Sequence, residues 1–200
     1  MTMQKRTKNE YFRGIEHYKI VYDFLFKIKN KIKLLEVGAG DCILKPILPK
    51  NIIYKSADML GKSDYKVDLN KEKIPVKNNT FDILVCLETL EHVLYVDNVI
   101  EELKRVTKKH GVFILSIPNE YNLWLRLNYL FAIKKKQTDS PFEVVSKLQH
   151  IHRPRVKDIL NLFSKHFKIK RVHYLWQSGL SKKSNFFYFF DKFINLLAKI

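Results

Sequence analysis

Cysteine is scarce in this chain. Cys42 and Cys86 are the only two among 200 residues, and both sit inside apolar runs. A disulfide framework is excluded on that count, and a reducing cytoplasm is the expected compartment. Long hydrophobic runs are missing too: no uninterrupted apolar stretch reaches the ~18 residues a helix needs to cross a bilayer. No basic, apolar and small-residue leader opens the chain, so a soluble or peripheral protein is expected. Internal repeats and low-complexity linkers are likewise missing. What is present is a core: 46% of residues are apolar and 13% aromatic, which excludes disorder. The length suits a single α/β domain, long enough to bury a core but short for two.

The formal net charge of +17 suggests a polyanion partner until it is mapped along the chain. Residues 1–33 carry nine Lys/Arg against three acids. Residues 34–119 carry twelve of each and cancel. Residues 120–200 carry sixteen against five. The excess therefore lies in the two flanks. Solvated helix faces, an anionic membrane surface and nucleic acid all remain open as its explanation, nucleic acid being the least favoured.

Apolar spacing near 3.6 residues predicts an amphipathic helix over 9–29, through Tyr11, Ile15, Tyr18, Val21, Leu25 and Ile28. Short apolar runs predict strands at 32–37, 52–57, 65–67, 81–87 and 111–117. Between the last two, Val96, Val99, Ile100, Leu103 and Val106 form a second helical stripe. Asp41, Asp58, Asp68 and Asn119 fall at strand ends. The alternation argues for an α/β fold with a Rossmann-like, doubly wound, mostly parallel sheet. Ligands then bind in the crevice beyond the carboxyl ends of the strands.

The first strand runs into Glu36-Val37-Gly38-Ala39-Gly40-Asp41-Cys42. Two glycines permit a tight turn and a ligand against bare main chain. A dinucleotide loop needs a third, three residues beyond the second, and that position is Ile43. An acid just before the turn suits an amine-bearing ligand better than a pyrophosphate. Asp58 closes the second strand, near the offset at which an acid meets a ribose hydroxyl pair. Asp68 ends the third and is placed to accept from an exocyclic amine. Singly, each acid reads equally well as a cap or turn residue. Together, beside a glycine turn, they point to a nucleoside.

These residues carry a resemblance. LLEVGAGDC (34–42), SAD (56–58), VDLNKEKIPVKNNTFDILVCLETLEHV (67–93) and EELKRVTKKHGVFILSIPN (101–119) resemble the successive motifs of class I S-adenosylmethionine-dependent methyltransferases. Within that family they resemble the small-molecule group that includes quinone-biosynthesis O-methyltransferases. Residues 148–176 resemble, more weakly, that group's late helix and sixth strand. The resemblance implies S-adenosyl-L-methionine as cofactor. Glu36 would order the loop and the cofactor's amino group, and Gly38 and Gly40 would pass under its methionine and ribose portions. Asp58 would hold the ribose hydroxyls, Asp68 with the backbone of Leu69 the adenine, and Cys86 and Leu87 would line the sulfonium. Cys42 departs from the pattern, standing where the family has a third glycine. The seventh strand is doubtful or missing: SNFFYFF (184–190) would have to serve for it, after FKIKRVHYLW (167–176) as the sixth.

Catalysis is less legible. His150 and His152, in Gln-His-Ile-His-Arg, are the candidate base or acceptor-orienting residues because the family's matching segment borders the acceptor; incidental surface histidines are the alternative. The Glu88, Glu91 and His92 spacing resembles a divalent-metal pattern of some quinone-forming relatives, but it is common without one, and no metal is expected. Aromatic stretches at 121–133 and 186–200, each with lysines nearby, suit either interfacial helices or a cap on the acceptor pocket. One methyltransferase domain is expected, made of an N-terminal helix (1–31), a cofactor core (32–119) and acceptor-side elements (120–200). The favoured acceptor is a small or lipid-linked hydroxyl or amine. An RNA or protein methyltransferase and a non-catalytic binding module are the alternatives.

Overall fold

The computed structural model describes residues 16–118, 130–131 and 150–175. The chain divides into two compact units, Met1–Ser116 and Ile117–Ile200. The first holds helix α1 (Glu16–Leu25), strands β1 (Ile32–Val37), β2 (Ile52–Asp58), β3 (Tyr65–Lys66) and β4 (Phe81–Leu87), helix α2 (Val96–Val106) and strand β5 (Thr107–Ser116). The second holds helix α3 (Val156–His166).

All five strands are parallel, in the order β3-β2-β1-β4-β5. β1 and β4 are central, and burial on both faces explains their nearly unbroken apolar sequences. The order reverses at β1, so the crevice for a ligand opens where β1 and β4 end. Alternation along β1 sends Leu34 to the α1 face, where it packs with Tyr18, Val21, Tyr22 and Leu25 and with Ile83 and Val85 of β4. α2 buries Val99, Ile100, Leu103 and Val106. Its polar face anchors the preceding loop: Arg105 donates to the carbonyls of Ile74 and Val76, and Glu102 accepts the Ile74 N–H.

The five strands predicted between 32 and 117 and the second helix are present, and residues 16–25 of the predicted first helix are helical. β5 starts earlier than its apolar run. Thr107 pairs with Phe81, and the ladder then resumes only at Val112 opposite Ile83. The polar residues between fill that irregularity, where His110 takes a φ of 66°. The expected sixth strand is not formed in residues 167–175, which have no regular secondary structure. Lys168-Ile169-Lys170 alternates like a strand, but a strand exists only through a ladder partner, and no described residue supplies one. Among the described residues no helix is long and apolar enough to cross a membrane. The expectations at 9–15, Asn119, 121–129, 132–133 and 176–200 lie outside the described residues.

Candidate cofactor site

Three residues of the turn after β1 have left-handed backbone: Gly38 (φ 69°), Gly40 (φ 47°) and Cys42 (φ 54°). The two glycines serve different ends. A Cβ on Gly38 would fall 1.9 Å from Thr89 Oγ1, so its missing side chain makes room for Thr89 rather than for a ligand. This corrects the expectation that both glycines lie bare. Thr89 is fixed there by donating to the Leu87 carbonyl at 2.9 Å. A Cβ on Gly40 would meet nothing within 4 Å, so this is where a ligand can approach main chain. A third glycine not foreseen from the sequence is Gly61 (φ 74°), whose Cβ would come within 2.9 Å of the Gly40 carbonyl oxygen. Its signal was its place just past the acid that ends β2.

Cys42 holds this left-handed backbone at a steric cost to an L-residue of about 1–2 kcal/mol. Glycine there costs about 0.5–1 kcal/mol in unfolded-chain entropy. Cys42→Gly should therefore stabilise the protein by roughly 0.5–1 kcal/mol, read as a higher urea midpoint at unchanged slope.

The acids at the strand ends are organised around this turn. Asp58 accepts the Gly40 N–H on Oδ2 at 2.8 Å and the Leu60 N–H on Oδ1 at 2.7 Å. One carboxylate thus ties the glycine turn to the end of β2, and each oxygen keeps lone pairs for a further donor. Asp68 lies two residues past β3 rather than at its end. It heads a turn, accepting the Asn70 N–H on Oδ1 and pairing with Lys71 at 3.0 Å, and these donors hold its carboxyl below the usual range. Leu69 beside it is half-buried.

Glu36 is enclosed in the sheet, 1% exposed. The Tyr54 hydroxyl donates to Oε2, and Oε1 has no hydrogen-bond partner. Burial pushes its carboxyl up to about 7, while the Tyr54 and Tyr18 hydroxyls pull the other way. The sign follows from linkage: the folded state favours protonated Glu36, so that contribution to stability is complete below about pH 4.5 and is lost as pH rises through about 7. Neither tyrosine was linked to Glu36 in the sequence, where Tyr18 read as part of a helical stripe; a buried strand acid in need of a donor was the available signal.

Cys86 and Leu87 lie in the core at 0% and 6% exposure. Burial raises the Cys86 thiol to about 12. Their side chains therefore pack the sheet rather than face a cavity. After β4, Glu88 (φ 48°) accepts the Ser116 hydroxyl at 2.6 Å. His92 Nε2 lies 3.8 Å from Glu91 Oε1. Glu88 is thus turned to β5, while Glu91 and His92 lie side by side. His150 and His152 are half-buried in the second unit, just before α3.

A nucleoside bearing an amino-acid amine fits this arrangement. Gly40 leaves open space, Asp58 has acceptor capacity left, and Glu36 has an enclosed oxygen without a donor. A pyrophosphate does not fit, because two acids flank the turn and Ile43 stands where a dinucleotide loop needs its third glycine. A parallel sheet in this order with such a turn defines a nucleoside-binding Rossmann-like domain.

Comparison with known proteins narrows that class. Residues 35–115 match the family model of the methyltransferase domain. The chain is 36% identical over 104 residues to an uncharacterised protein of Methanocaldococcus jannaschii, covering 49% of this chain and 46% of that one. It thus spans about half of that relative. It is 26% identical over 215 aligned positions to the ubiquinone biosynthesis O-methyltransferase of Rickettsia typhi, covering 92% of this chain and 85% of that one. The solved structure of the YcgJ protein of Bacillus subtilis superposes with a TM-score of 0.53 at 15% identity, over 76% of this chain and 67% of that one, a likeness of fold. Residues 35–115 thus carry the pattern of a methyltransferase domain, and that match supports S-adenosyl-L-methionine as the cofactor.

Proposed function

We propose that the protein transfers the methyl group of S-adenosyl-L-methionine to a hydroxyl or amine of a small-molecule or lipid-linked acceptor. The observation that carries this reading is the lock between Asp58 and the Gly40 N–H, beneath open space at Gly40. In this reading Asp58 takes the ribose hydroxyls, Glu36 the ammonium group, and Asp68 with the Leu69 backbone the adenine. The ubiquinone biosynthesis O-methyltransferase matched along most of the chain supports a small acceptor over a macromolecule.

The bound cofactor supplies an activated sulfonium methyl, so in-line placement of the acceptor provides most of the rate. A hydroxyl acceptor must also lose its proton, and we assign that role to His150 or His152. His150→Ala or His152→Ala should lower turnover at least tenfold with cofactor affinity nearly unchanged. Near-wild-type turnover in both variants would remove them from the mechanism.

The expected workplace is the cytoplasm, at the periphery of an anionic membrane if the acceptor is a lipid. In the described part of the second unit Arg153, Arg155, Lys157, Lys165, Lys168, Lys170 and Arg171 outnumber a single acid, Asp158, which also favours an anionic partner. That same excess supports the second reading, an RNA or protein acceptor.

Incubation with methyl-labelled cofactor and separated lipid, small-molecule, RNA and protein fractions tests the proposal. Label should enter the lipid or small-molecule fraction. Label in RNA or protein selects the second reading. Cofactor binding with label in no fraction would make the protein a binding module.

A further inference from the structure

Glu36 presents an accounting problem. A carboxylate enclosed in a sheet needs donors for its oxygens, and buried acceptors without one call for an explanation. Tyr54, reaching from β2, satisfies Oε2, while Oε1 has no hydrogen-bond partner. Tyr18 of α1 also bears on the carboxylate, without closing a hydrogen bond on Oε1. Glu36 is one residue from the carboxyl end of β1 and two before Gly38, at the switch point where ligands meet such a sheet.

We propose that Tyr54 is a positioning residue: its hydroxyl holds one oxygen of Glu36 so that the other is kept for the ammonium group of the cofactor's amino-acid portion. This rests on the methyltransferase reading and deepens it. An ammonium supplies the donor that Oε1 lacks, and it favours the ionised acid.

A dependence on pH follows. Burial, aided by the negative charge of Asp58, lifts Glu36 to about 7, while the Tyr54 hydrogen bond and the nearby Tyr18 hydroxyl resist that lift. Cys42 in the turn bears on Tyr54, Glu36 and Glu91 are felt at Cys86 on β4, and Glu88 is felt at Tyr18. None of these groups is a cation. Below the midpoint, binding the ammonium must expel a proton from Glu36, and affinity falls. Without the Tyr54 hydroxyl the charged form loses a donor, so the midpoint rises.

The test is calorimetric titration of the full chain with S-adenosylhomocysteine, from pH 5.5 to 8.5. Wild-type affinity should be level at the alkaline end and fall toward tenfold per pH unit below about 7. Tyr54→Phe should move that fall to higher pH, weakening binding several-fold at pH 7 and converging with wild type at the alkaline end. Tyr18→Phe should act in the same direction, which keeps the test available if Tyr54→Phe folds poorly. Glu36→Gln should bind weakly and with a flat profile. A Tyr54→Phe profile that coincides with wild type, or a Glu36→Gln variant that keeps the wild-type slope, would overturn the inference and leave the cofactor assignment standing. A wild-type chain that binds nothing at any pH would overturn both.

Discussion

Gly38→Ala should cost about 2–5 kcal/mol of stability, a large share of what a domain this size has to lose. Two causes add. The position has a φ of 69°, where an L-side chain costs about 1–2 kcal/mol. The new methyl would also lie within 3 Å of three Thr89 side-chain atoms, an overpacking that costs about 1–3 kcal/mol. Thr89→Gly in the same chain should recover the second part but not the first, so the two changes are strongly non-additive. Urea unfolding of the single and double variants measures this. A Gly38→Ala protein that unfolds like wild type would show that the turn does not pack on Thr89. Larger replacements at 38 report on folding rather than on ligand binding.

Asp58→Ala is expected to give the largest loss of cofactor affinity, at least a hundredfold. Charge-assisted hydrogen bonds are worth about 1.5–3 kcal/mol each, and a ribose offers two hydroxyls to this carboxylate. The change also releases the Gly40 and Leu60 N–H groups, loosening the turn the ligand must meet. Because Asp58 is half-buried, stability should drop by only about 1–3 kcal/mol, so a folded variant remains to be assayed. Unchanged affinity in a folded variant would remove Asp58 from the site.

β1 and β4 were legible because parallel strands buried on both faces read as nearly continuous apolar runs, the first ended by Gly38 and the second by Glu88. The 81–87 run and the 32–37 run are the clearest cases, and they are the two central strands. Legibility fell where a contact depends on chain segments far apart. Nothing local in Gly38 announces that Thr89 fills the space beside it. Tyr54 reads as an ordinary half-buried strand residue until the parallel register sets Glu36 opposite Ser56 and brings the tyrosine hydroxyl to the acid. Cys86 and Leu87 were expected to line the sulfonium by analogy of position, but strand alternation in a doubly covered sheet encloses both side chains. The residues at 167–175 carry a strand-like alternation without a ladder partner among the described residues, which is the information a periodicity cannot contain.

The central claim is that the turn after β1, tied to the end of β2, holds S-adenosyl-L-methionine. It is tested most directly by titrating the full chain with S-adenosylhomocysteine and, separately, with NAD in the calorimeter. The account predicts saturable one-to-one binding of S-adenosylhomocysteine and no heat with NAD, since the turn has two acids at its edges and no third glycine. Saturable binding of NAD, or none of S-adenosylhomocysteine, would contradict it.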